Sequence, residues 1–562
     1  MKEVLYLALK EAVNDLASDN EIEIQISKPS NPQNGDWSSN IALLLSKKIN
    51  KSPHELAKKI IKTLKIKNVS KIEIAGAGFI NFYLDENSFY AYTKKFSKGD
   101  MHGILTESNP KKILLEYVSS NPTGPIHVGH GRAAAFGSAL ANLYRIAGND
   151  IYEEYYVNDR GLQAETLGLS ILIRYQELFR IEIDMPEGSY LGDYIKELAA
   201  KVKKKFGDKF RIDDISEIKE LRNVEDWIKY IKAKFEEFDA LSDFCIKTQV
   251  NEIKKDLEAF KISYNAWFYE SSLYKSSFVK KSINSLRKSD TFESEGAIWF
   301  KSSSYGDEKD RVLIRENSEP TYFASDVAYH HEKFNRKFDE YINIWGADHH
   351  GYIPRIKASI NSLDHDENKL LILLIQFVSL IENGKKVQMS TRSGEFVELS
   401  ELVDKVGLDS SRYYFLARKI EQALEFDIDL AKKKDKDNHV YYIQYAHARI
   451  CSLLKENEKR GFKIDNDSSN LTELTAKSEK EIIAFINSYP EILLQCYRNN
   501  EIHPLCFYLR DLSSKFHTYY NSEVIIDDNE NLRNSRLTLS LAVKNIIRHG
   551  FEILKINCPD TM

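Results

Sequence analysis

Cysteine, long apolar runs and an excess of either charge are all scarce in this chain, and each scarcity removes a class of protein. The five cysteines (Cys245, Cys451, Cys496, Cys506, Cys558) are odd in number and include no C-x-x-C pair. Neither a disulfide framework nor a zinc site is therefore expected. The longest apolar run, 370–381, contains Gln376 and Ser379 and is shorter than the ~20 residues that a membrane-spanning helix needs. The opening MKEVLYLALKEAVNDL carries acidic residues inside its apolar pattern and no cleavage site, so it reads as an amphipathic helix and not as a signal peptide. The expectation is a cytoplasmic protein without membrane contact. With 79 basic against 84 acidic residues the net charge is −5, so a nucleic-acid partner would have to be met by local patches. Residues 201–209 (KVKKKFGDK) and 432–436 (KKKDK) are candidates, although such runs are most often solvated faces.

What is present is a soluble globular composition, 42% hydrophobic and 29% charged over 562 residues, enough for roughly three to four domains. One stretch organises it: residues 114–132, LLEYVSSNPTGPIHVGHGR. Residues 113–118 form a short apolar run with one charge, suited to a buried parallel strand. Residues 119–125 are dense in turn formers, and from Gly129 an Ala-rich helical pattern runs through Arg145 and stops at Gly148. Strand, loop and helix in that order aim the free N–H groups and dipole of a helix N-terminus at whatever lies above the strand ends. His127 and His130 fall in that first turn, and Gly129 between them leaves room for a flat ligand. The chemistry indicated is binding of a nucleotide phosphate.

PTGPIHVGH, after a strand and before an Ala-rich helix, resembles the HIGH signature of class I aminoacyl-tRNA synthetases. The form PTGP-x-HVGH is similar to that of the arginyl-tRNA synthetase family of bacterial type. The resemblance implies that ATP is bound by Ser120, Pro122, Thr123, Gly124, Pro125, His127, Gly129 and His130, with the two histidines and Gly129 in catalysis. It extends over nearly the whole chain. NGDWSSNIA (34–42) and IAGAGFINFYL (74–84) resemble the N-terminal additional domain of the family, which implies contact with the tRNA elbow.

Residues 1–90 read by themselves as an α+β module. After the opening helix comes an alternating strand at 21–26 and a loop with Gly35 and Asp36. A helix follows from Ser52, where Ser52-Pro53-His54-Glu55 has the form of a capping box with Pro at the first helical position. Strands at 71–74 and 80–84 complete it. Asn81, Phe82 and Tyr83 are candidates to meet bases, but core packing is the expected role of Phe79 and Phe82.

Residues 108–400 alternate strands and helices as a doubly wound sheet does, with a helical, Lys/Glu-rich insertion from about 165 to 290. Residues 155–159 read as the second strand and its polar end; 312–314, 341–345 and 370–381 read as later strands. Glu116, Asn121, Tyr322 and Asp326 match the arginine pocket of the family, with Asp159 and Gln163 beside it. A guanidinium presents five donors in a planar fork, so its pocket needs carboxylates placed edge-on. Tyr322 and Asp326, at i and i+4, would share one helix face. An internal ion pair is the competing role for Glu116 and Asp326. Gly346, Asp348 and His349 follow strand 341–345, where open α/β sheets bind ligands, and by resemblance belong to the ATP site. No third ligand accompanies His349 and His350, so no metal is expected there.

Residues 387–394, VQMSTRSG, resemble the KMSKS loop, with Gln388 and Thr391 in the positions of its two lysines. Met389, Ser390 and Arg392 are assigned to catalysis on that resemblance. Lys385, Lys386 or Arg392 could supply the missing cation, Arg392 being preferred. Beyond Leu399 the chain reads as helical. Residues 401–436 form a connecting segment, where DSSRYYFLAR (409–418) and EFDIDL (425–430) resemble the family, and 437–562 form an anticodon-binding bundle. Tyr441, Tyr442, Tyr445 and His447 sit at helical spacing, more often core than RNA platform, with some expected to stack on anticodon bases.

The whole is expected to be an α/β protein with a class I synthetase Rossmann-like parallel core, an N-terminal α+β domain and a C-terminal all-α bundle. It would activate L-arginine with ATP and Mg2+ and transfer it to tRNA(Arg), as a monomer. An HxGH nucleotidyltransferase acting on a small metabolite normally lacks such flanking domains. A non-catalytic tRNA-binding paralogue is disfavoured by retention of His127, His130 and Asp348.

Overall fold

The computed structural model describes residues 2–14, 16, 23–29, 31, 34–214, 216, 218, 221–387, 397–465 and 469–562. They form two compact units, one of 1–101, 450–489 and 512–546, the other of 102–449, 490–511 and 547–562. Among the described residues no helix is long and apolar enough to cross a membrane.

In the first unit an antiparallel sheet runs in the order Ile26–Ser27, Trp37–Ser39, Phe79–Leu84, Val69–Ala75. Helices Lys2–Asn14, Ile41–Ile49 and Pro53–Thr63 share with it a core that includes Leu5, Leu45, Ile60, Ile80 and Phe82. Of the strand expected at 21–26, residues 21 and 22 lie outside the described residues, and pairing starts only at Ile26. The helix begins behind Ser52 as its Pro53 suggests, but the Ser52 side chain makes no capping bond, so the capping box is not formed. Gly35 (φ +99) permits a tight approach in which a β-carbon would stand 2.7 Å from the Phe82 carbonyl oxygen. Asp36 Oδ2 then accepts from the Leu84 N–H at 2.8 Å. Phe82 is core, whereas Phe79 is 42% exposed, contrary to expectation. It pairs with Ala75 at the turn end of its hairpin.

The second unit is built on five parallel strands: β1 (Lys112–Glu116), β2 (Asp150–Val157), β3 (Ala266–Tyr269), β4 (Glu340–Gly346) and β5 (Leu370–Ile375). Their spatial order is β5-β4-β1-β2-β3. The order reverses between β1 and β4, which opens a crevice at their carboxyl ends. The helices that matter for it are α1 (Val128–Ile146), α2 (Leu162–Glu177), α3 (Asp193–Phe206), α4 (Phe238–Ala259) and α5 (Tyr322–Asn335). An antiparallel sheet of Thr291–Ser294, Ala297–Phe300 and Arg311–Ile314 stands apart from these strands.

Three expectations are corrected. β3 lies inside the stretch read as a helical insertion; AWFY is four half-buried residues with no apolar alternation to betray it. Residues 370–381 are not one strand. At Gln376 the backbone bonds leave the sheet: its N–H donates to the Ile420 carbonyl at 2.8 Å and its own carbonyl accepts from Arg132 at 2.9 Å. Val378–Glu382 then joins a separate small sheet, parallel to Leu424–Asp427 and antiparallel to Lys385–Lys386. Leu424–Asp427 is thus a strand in the stretch expected to be helical.

One stripe of α5, Asp326, Tyr329, Lys333 and Arg336, faces β1 and β2 and fixes the helix to the sheet. Lys333, fully buried, pairs with Glu116, which is 5% exposed. Lys333 also donates to Asn343 Oδ1 at 2.9 Å. Tyr329 donates to Glu154 at 2.8 Å and to Glu116 at 3.2 Å, and Arg336 forks onto Glu154 at 2.6 and 2.9 Å. Removing one partner of such a pair leaves a bare buried charge. Lys333→Ala is expected to cost about 3–5 kcal/mol, read as a lowered denaturant midpoint, with much of the loss recovered by Lys333→Met combined with Glu116→Gln. An unchanged midpoint in the single variant would show that the pair does not hold the fold.

Candidate active site

Past Glu116 the chain turns through Val118 (φ +70) and Ser119 (φ +41). A β-branched residue at positive φ is strained, and neighbouring groups hold it. Ser119 Oγ accepts from the Tyr156 N–H at 3.0 Å, Tyr155 donates to the Ser120 carbonyl at 2.9 Å, and Tyr194 donates to the Thr123 carbonyl at 2.7 Å. The loop of Ser120, Pro122, Thr123, Gly124 and Pro125 is thus fixed by hydroxyls from β2 and α3.

α1 starts at Val128 with His127 as its N-cap, whose Nδ1 accepts from the Gly129 N–H at 3.1 Å. An accepting Nδ1 leaves the ring proton on Nε2. The ring stacks on His130, with centroids 3.6 Å apart and planes at 25°. Gly129 allows this, since a β-carbon there would lie 3.0 Å from His127 Cε1. Burial lowers the pKa of both histidines, and the nearby His127 lowers that of His130 further. Both rings are therefore neutral at neutral pH. His130 Nδ1 is buried and has no hydrogen-bond partner among the described residues, a group that a ligand could satisfy.

Across the switch point, β4 ends at Gly346, and Asp348 and His349 stand exposed just beyond it. A β-carbon on Gly346 would come within 2.4 Å of Asp348 Oδ1. The second motif, Gln388, Met389, Ser390, Thr391 and Arg392, lies outside the described residues. Its downstream flank runs against the histidine turn: the Val128 N–H donates to the Val397 carbonyl at 3.2 Å and the Leu399 N–H to Ile126 at 2.8 Å. Lys385 and Lys386 are exposed beyond the Asn383-Gly384 turn. Arg132, wholly buried, donates to the carbonyls of Gln376, Gln422 and Lys419, each at 2.9 Å.

The expected arginine pocket is only partly gathered. The Glu116 carboxylate is already answered by Lys333 and Tyr329, the internal pairing weighed for it above. Asp326 Oδ2 accepts from the Tyr352 hydroxyl at 2.7 Å. Burial pushes its pKa up to about 7, against the pull of Tyr352 and with the help of nearby Glu270. Asp159 Oδ1 accepts from the Ser271 N–H at 2.8 Å. Tyr322 is 51% exposed, its hydroxyl 3.1 Å from where a β-carbon on Gly161 would be. Asn121 and Gln163 are exposed at the loop end and in the first turn of α2.

Glu270 was missed by sequence reasoning. It follows β3, is 4% exposed, and has its pKa raised by burial against the hydroxyls of Ser325 and Tyr156. With its amide turned to donate, Asn158 Nδ2 lies 3.0 Å from Glu270 Oε2. The only signal was an acid closing an aromatic run, AWFYE, whose strand was itself overlooked. Among the described residues neither Asp326 nor Glu270 has an ion-pair partner.

Three family models match in tandem: arginyl tRNA synthetase N terminal domain at 3–84, class I (R) tRNA synthetase catalytic domain at 95–430, and DALR anticodon binding domain at 443–562. An arginine–tRNA ligase of Legionella pneumophila is 42% identical over 586 aligned residues, spanning 100% of both chains. One of Coxiella burnetii is 40% identical over 100% of this chain and 99% of its own. The fold matches Thermus thermophilus arginyl-tRNA synthetase with a TM-score of 0.76 over 100% of each chain, at 20% identity. On the catalytic-domain match and the full-length identity to the Legionella and Coxiella ligases, the chain belongs to the arginyl-tRNA synthetase family.

Proposed function

We propose that this site carries out the arginine–tRNA ligase reaction with ATP above the histidine turn and the arginine guanidinium between Asp326 and Glu270. The observation that carries the specificity is the charge balance along α5. Its lower carboxylate neighbours, Glu116 and Glu154, each have a cation, Lys333 and Arg336. The upper pair, half-buried Asp326 and buried Glu270, forms no ion pair among the described residues and feels only the more distant pull of Arg355 and Arg160. Buried carboxylates call for a cation, and a planar guanidinium fits two of them. Tyr322, Asn121, Asp159 and Gln163 would bound the rest of the amino acid, while Glu116 supports the pocket from below.

In the first step an arginine carboxylate oxygen attacks the α-phosphorus of ATP, and the bond to pyrophosphate breaks. In the second a terminal ribose hydroxyl of tRNA(Arg) attacks the arginyl carbonyl and AMP leaves. No enzyme nucleophile is needed; rate comes from positioning and from stabilising charge on phosphorus. His127 donates through Nε2–H, His130 supplies its unsatisfied ring, and the N-terminus of α1 adds its dipole. Gly346 admits the adenine and Asp348 accepts from the ribose. Met389, Ser390 and Arg392 would close on the pyrophosphate, Arg392 in place of the absent lysine. Magnesium would accompany ATP as its counter-ion and supply positive charge to the phosphates. The tRNA elbow would meet the N-terminal domain and the anticodon the C-terminal helices. The chain is read as a cytoplasmic monomer.

The decisive test is arginine-dependent exchange of labelled pyrophosphate into ATP, with and without cognate tRNA. Exchange that requires arginine supports the reading; tRNA binding without any exchange would turn it into a non-catalytic tRNA-binding protein. His130→Ala is expected to lower adenylate formation on the order of 10²-fold while leaving arginine affinity near that of the parent, and unchanged turnover would remove His130 from the mechanism.

The pocket also predicts a pH dependence. A guanidinium binds the ionised carboxylates, and Asp326 takes up a proton as pH falls through about 7. Arginine binding should therefore release protons, and affinity should fall about tenfold per unit of pH below that point if one proton is coupled. Calorimetry in buffers of different ionisation enthalpy measures this directly. Asp326→Asn should weaken binding and flatten the profile; a flat profile in the parent protein would place the guanidinium elsewhere.

A further inference from the structure

The antiparallel sheet of 291–314 holds none of the residues assigned to substrate, yet the turn between its last two strands carries a buried acid. Asp307, 8% exposed, accepts from Arg311 through both oxygens, at 2.7 and 2.8 Å. It also accepts from the Ser302 hydroxyl and the Glu308 N–H, each at 2.9 Å. Against the upward push of burial, these donors and the nearby Arg355 hold its pKa down to about 2, so it stays charged. Arg311 alone could satisfy a carboxylate with its fork. Asp307 nevertheless has a second arginine, Arg355, whose Nε lies 3.4 Å from its Oδ2.

Arg355 stands in the first turn of the helix Ile353–Ser362, just beyond the turn that carries Asp348 and His349. Its Nη2 donates to the Gly351 carbonyl at 3.1 Å, and its guanidinium carbon lies 4.6 Å from the centre of the Tyr352 ring. A planar cation laid on an aromatic face is attracted to it and fixes its tilt. Phe323 of α5 and Trp345 of β4 meet the same ring edge-on, with centroids 6.4 and 6.5 Å away. The Tyr352 hydroxyl is thereby aimed at Asp326, donating to Oδ2 at 2.7 Å. An unbroken line of contacts, Asp307, Arg355, Tyr352, Asp326, thus runs from the outlying sheet to the carboxylate assigned to the substrate guanidinium. The other groups whose charge reaches Asp326 are Glu270 and Tyr274 beyond β3, Glu116 on β1 and Tyr156 on β2, none of them a cation.

We propose that Arg355, fastened by Asp307, is a positioning residue for arginine: by fixing Tyr352 it ties Asp326 through Oδ2 and leaves Oδ1 for the guanidinium. This rests on the pocket reading above and adds to it the residues that hold its carboxylate in place. A carboxylate tied at one oxygen keeps one orientation, so a ligand meets a preformed acceptor and does not have to order one as it binds. Arg355 makes no bond to Asp326 among the described residues and acts on its geometry through Tyr352.

The test is calorimetric titration of the full chain with arginine from about pH 6 to 9, comparing the parent with Tyr352→Phe, Arg355→Met, the double variant and Arg355→Lys. Tyr352→Phe and Arg355→Met should each weaken arginine binding about tenfold or more, with ATP affinity held within about twofold. The pH at which arginine affinity begins to fall should move upward in both, since Asp326 deprived of a donor or of a nearby cation keeps its proton longer. A general loosening of the fold would lower the active fraction without moving that profile. Because the two residues act along one line, their losses should not add, and the double variant should bind about as weakly as the worse single one. Arg355→Lys should recover part of the affinity, keeping the charge but not the planar stack. Affinity within about twofold of the parent, an unmoved pH profile, or losses that add overturns the proposal. Should Arg355→Met fail to fold, Tyr352→Phe removes only a hydroxyl, and an unmoved profile in it is equally fatal. Asp326→Asn separates the two readings. If it weakens arginine binding and the other variants do not, the line from Asp307 falls alone; if it leaves binding unchanged, the pocket reading falls and takes the proposal with it.

Discussion

The pocket depends on the Lys333 ammonium, buried between α5 and the sheet. It neutralises Glu116, bonds Asn343, and so keeps a charged strand residue from becoming an unpaired cost in the interior. Asn343 in turn meets His330 Nε2 at 3.2 Å, and His330 Nδ1 meets the Asp326 carbonyl at 2.8 Å. Burial and the adjacent Lys333 push the His330 pKa down to about 3, so this link stays neutral. The network sets the height of α5 over β1 and β2, and two turns above Lys333 it presents Asp326 to the crevice. Removing the cation would free Glu116 to compete for any positive ligand above it.

Arg132 plays the matching part on the other side of the site. Its guanidinium has no carboxylate partner among the bonds it makes, only three carbonyls, from Gln376, Gln422 and Lys419. Burial lowers its pKa to about 10, which leaves it charged at neutral pH. Those carbonyls belong to the chain where it leaves β5 and where it returns to the small sheet. The last residue of the histidine signature therefore also ties the end of β5 to the approach to the strand Leu424–Asp427. α1 is itself held close by small residues: a β-carbon on Gly137 would meet the Tyr117 ring at 2.4 Å, and one on Gly131 would meet Leu399 at 2.6 Å.

The parts of this architecture that could be read from sequence are those with local signals. β1, the turn and α1 are marked by an apolar run, a cluster of turn formers and an Ala-rich period, and β4 by its apolar residues before Gly346. β3 has no such signal, because four aromatic-rich residues half buried on both faces fit helix or strand equally. The break at Gln376 is caused by Arg132, which is far away in sequence, so 370–381 looked continuous. Glu116 was legible as a buried acid but not its partner, since Lys333 stands among other charged residues of a helix. Glu270 needed both the missed strand and the fold to bring it beside Asp326.

The proposed arginine pocket carries a conflict between stability and function that the pKa directions make explicit. Asp326 has a folded-state pKa of about 7 against an ordinary 3.8. A carboxyl whose folded pKa lies above its unfolded one binds more protons when folded. Its effect on folding therefore becomes progressively less favourable as pH rises through that window and levels off above it. Glu270 is shifted in the same direction. At neutral pH the free protein thus bears an electrostatic penalty in this pocket that a guanidinium would relieve and a neutral side chain would not. An uncharged amino acid of the same shape would gain contacts but leave the penalty standing, so in the proposed pocket discrimination would rest on that built-in cost as much as on new bonds formed. The lower half of the same stripe, where Lys333 and Arg336 close the charge, lets the fold carry that cost.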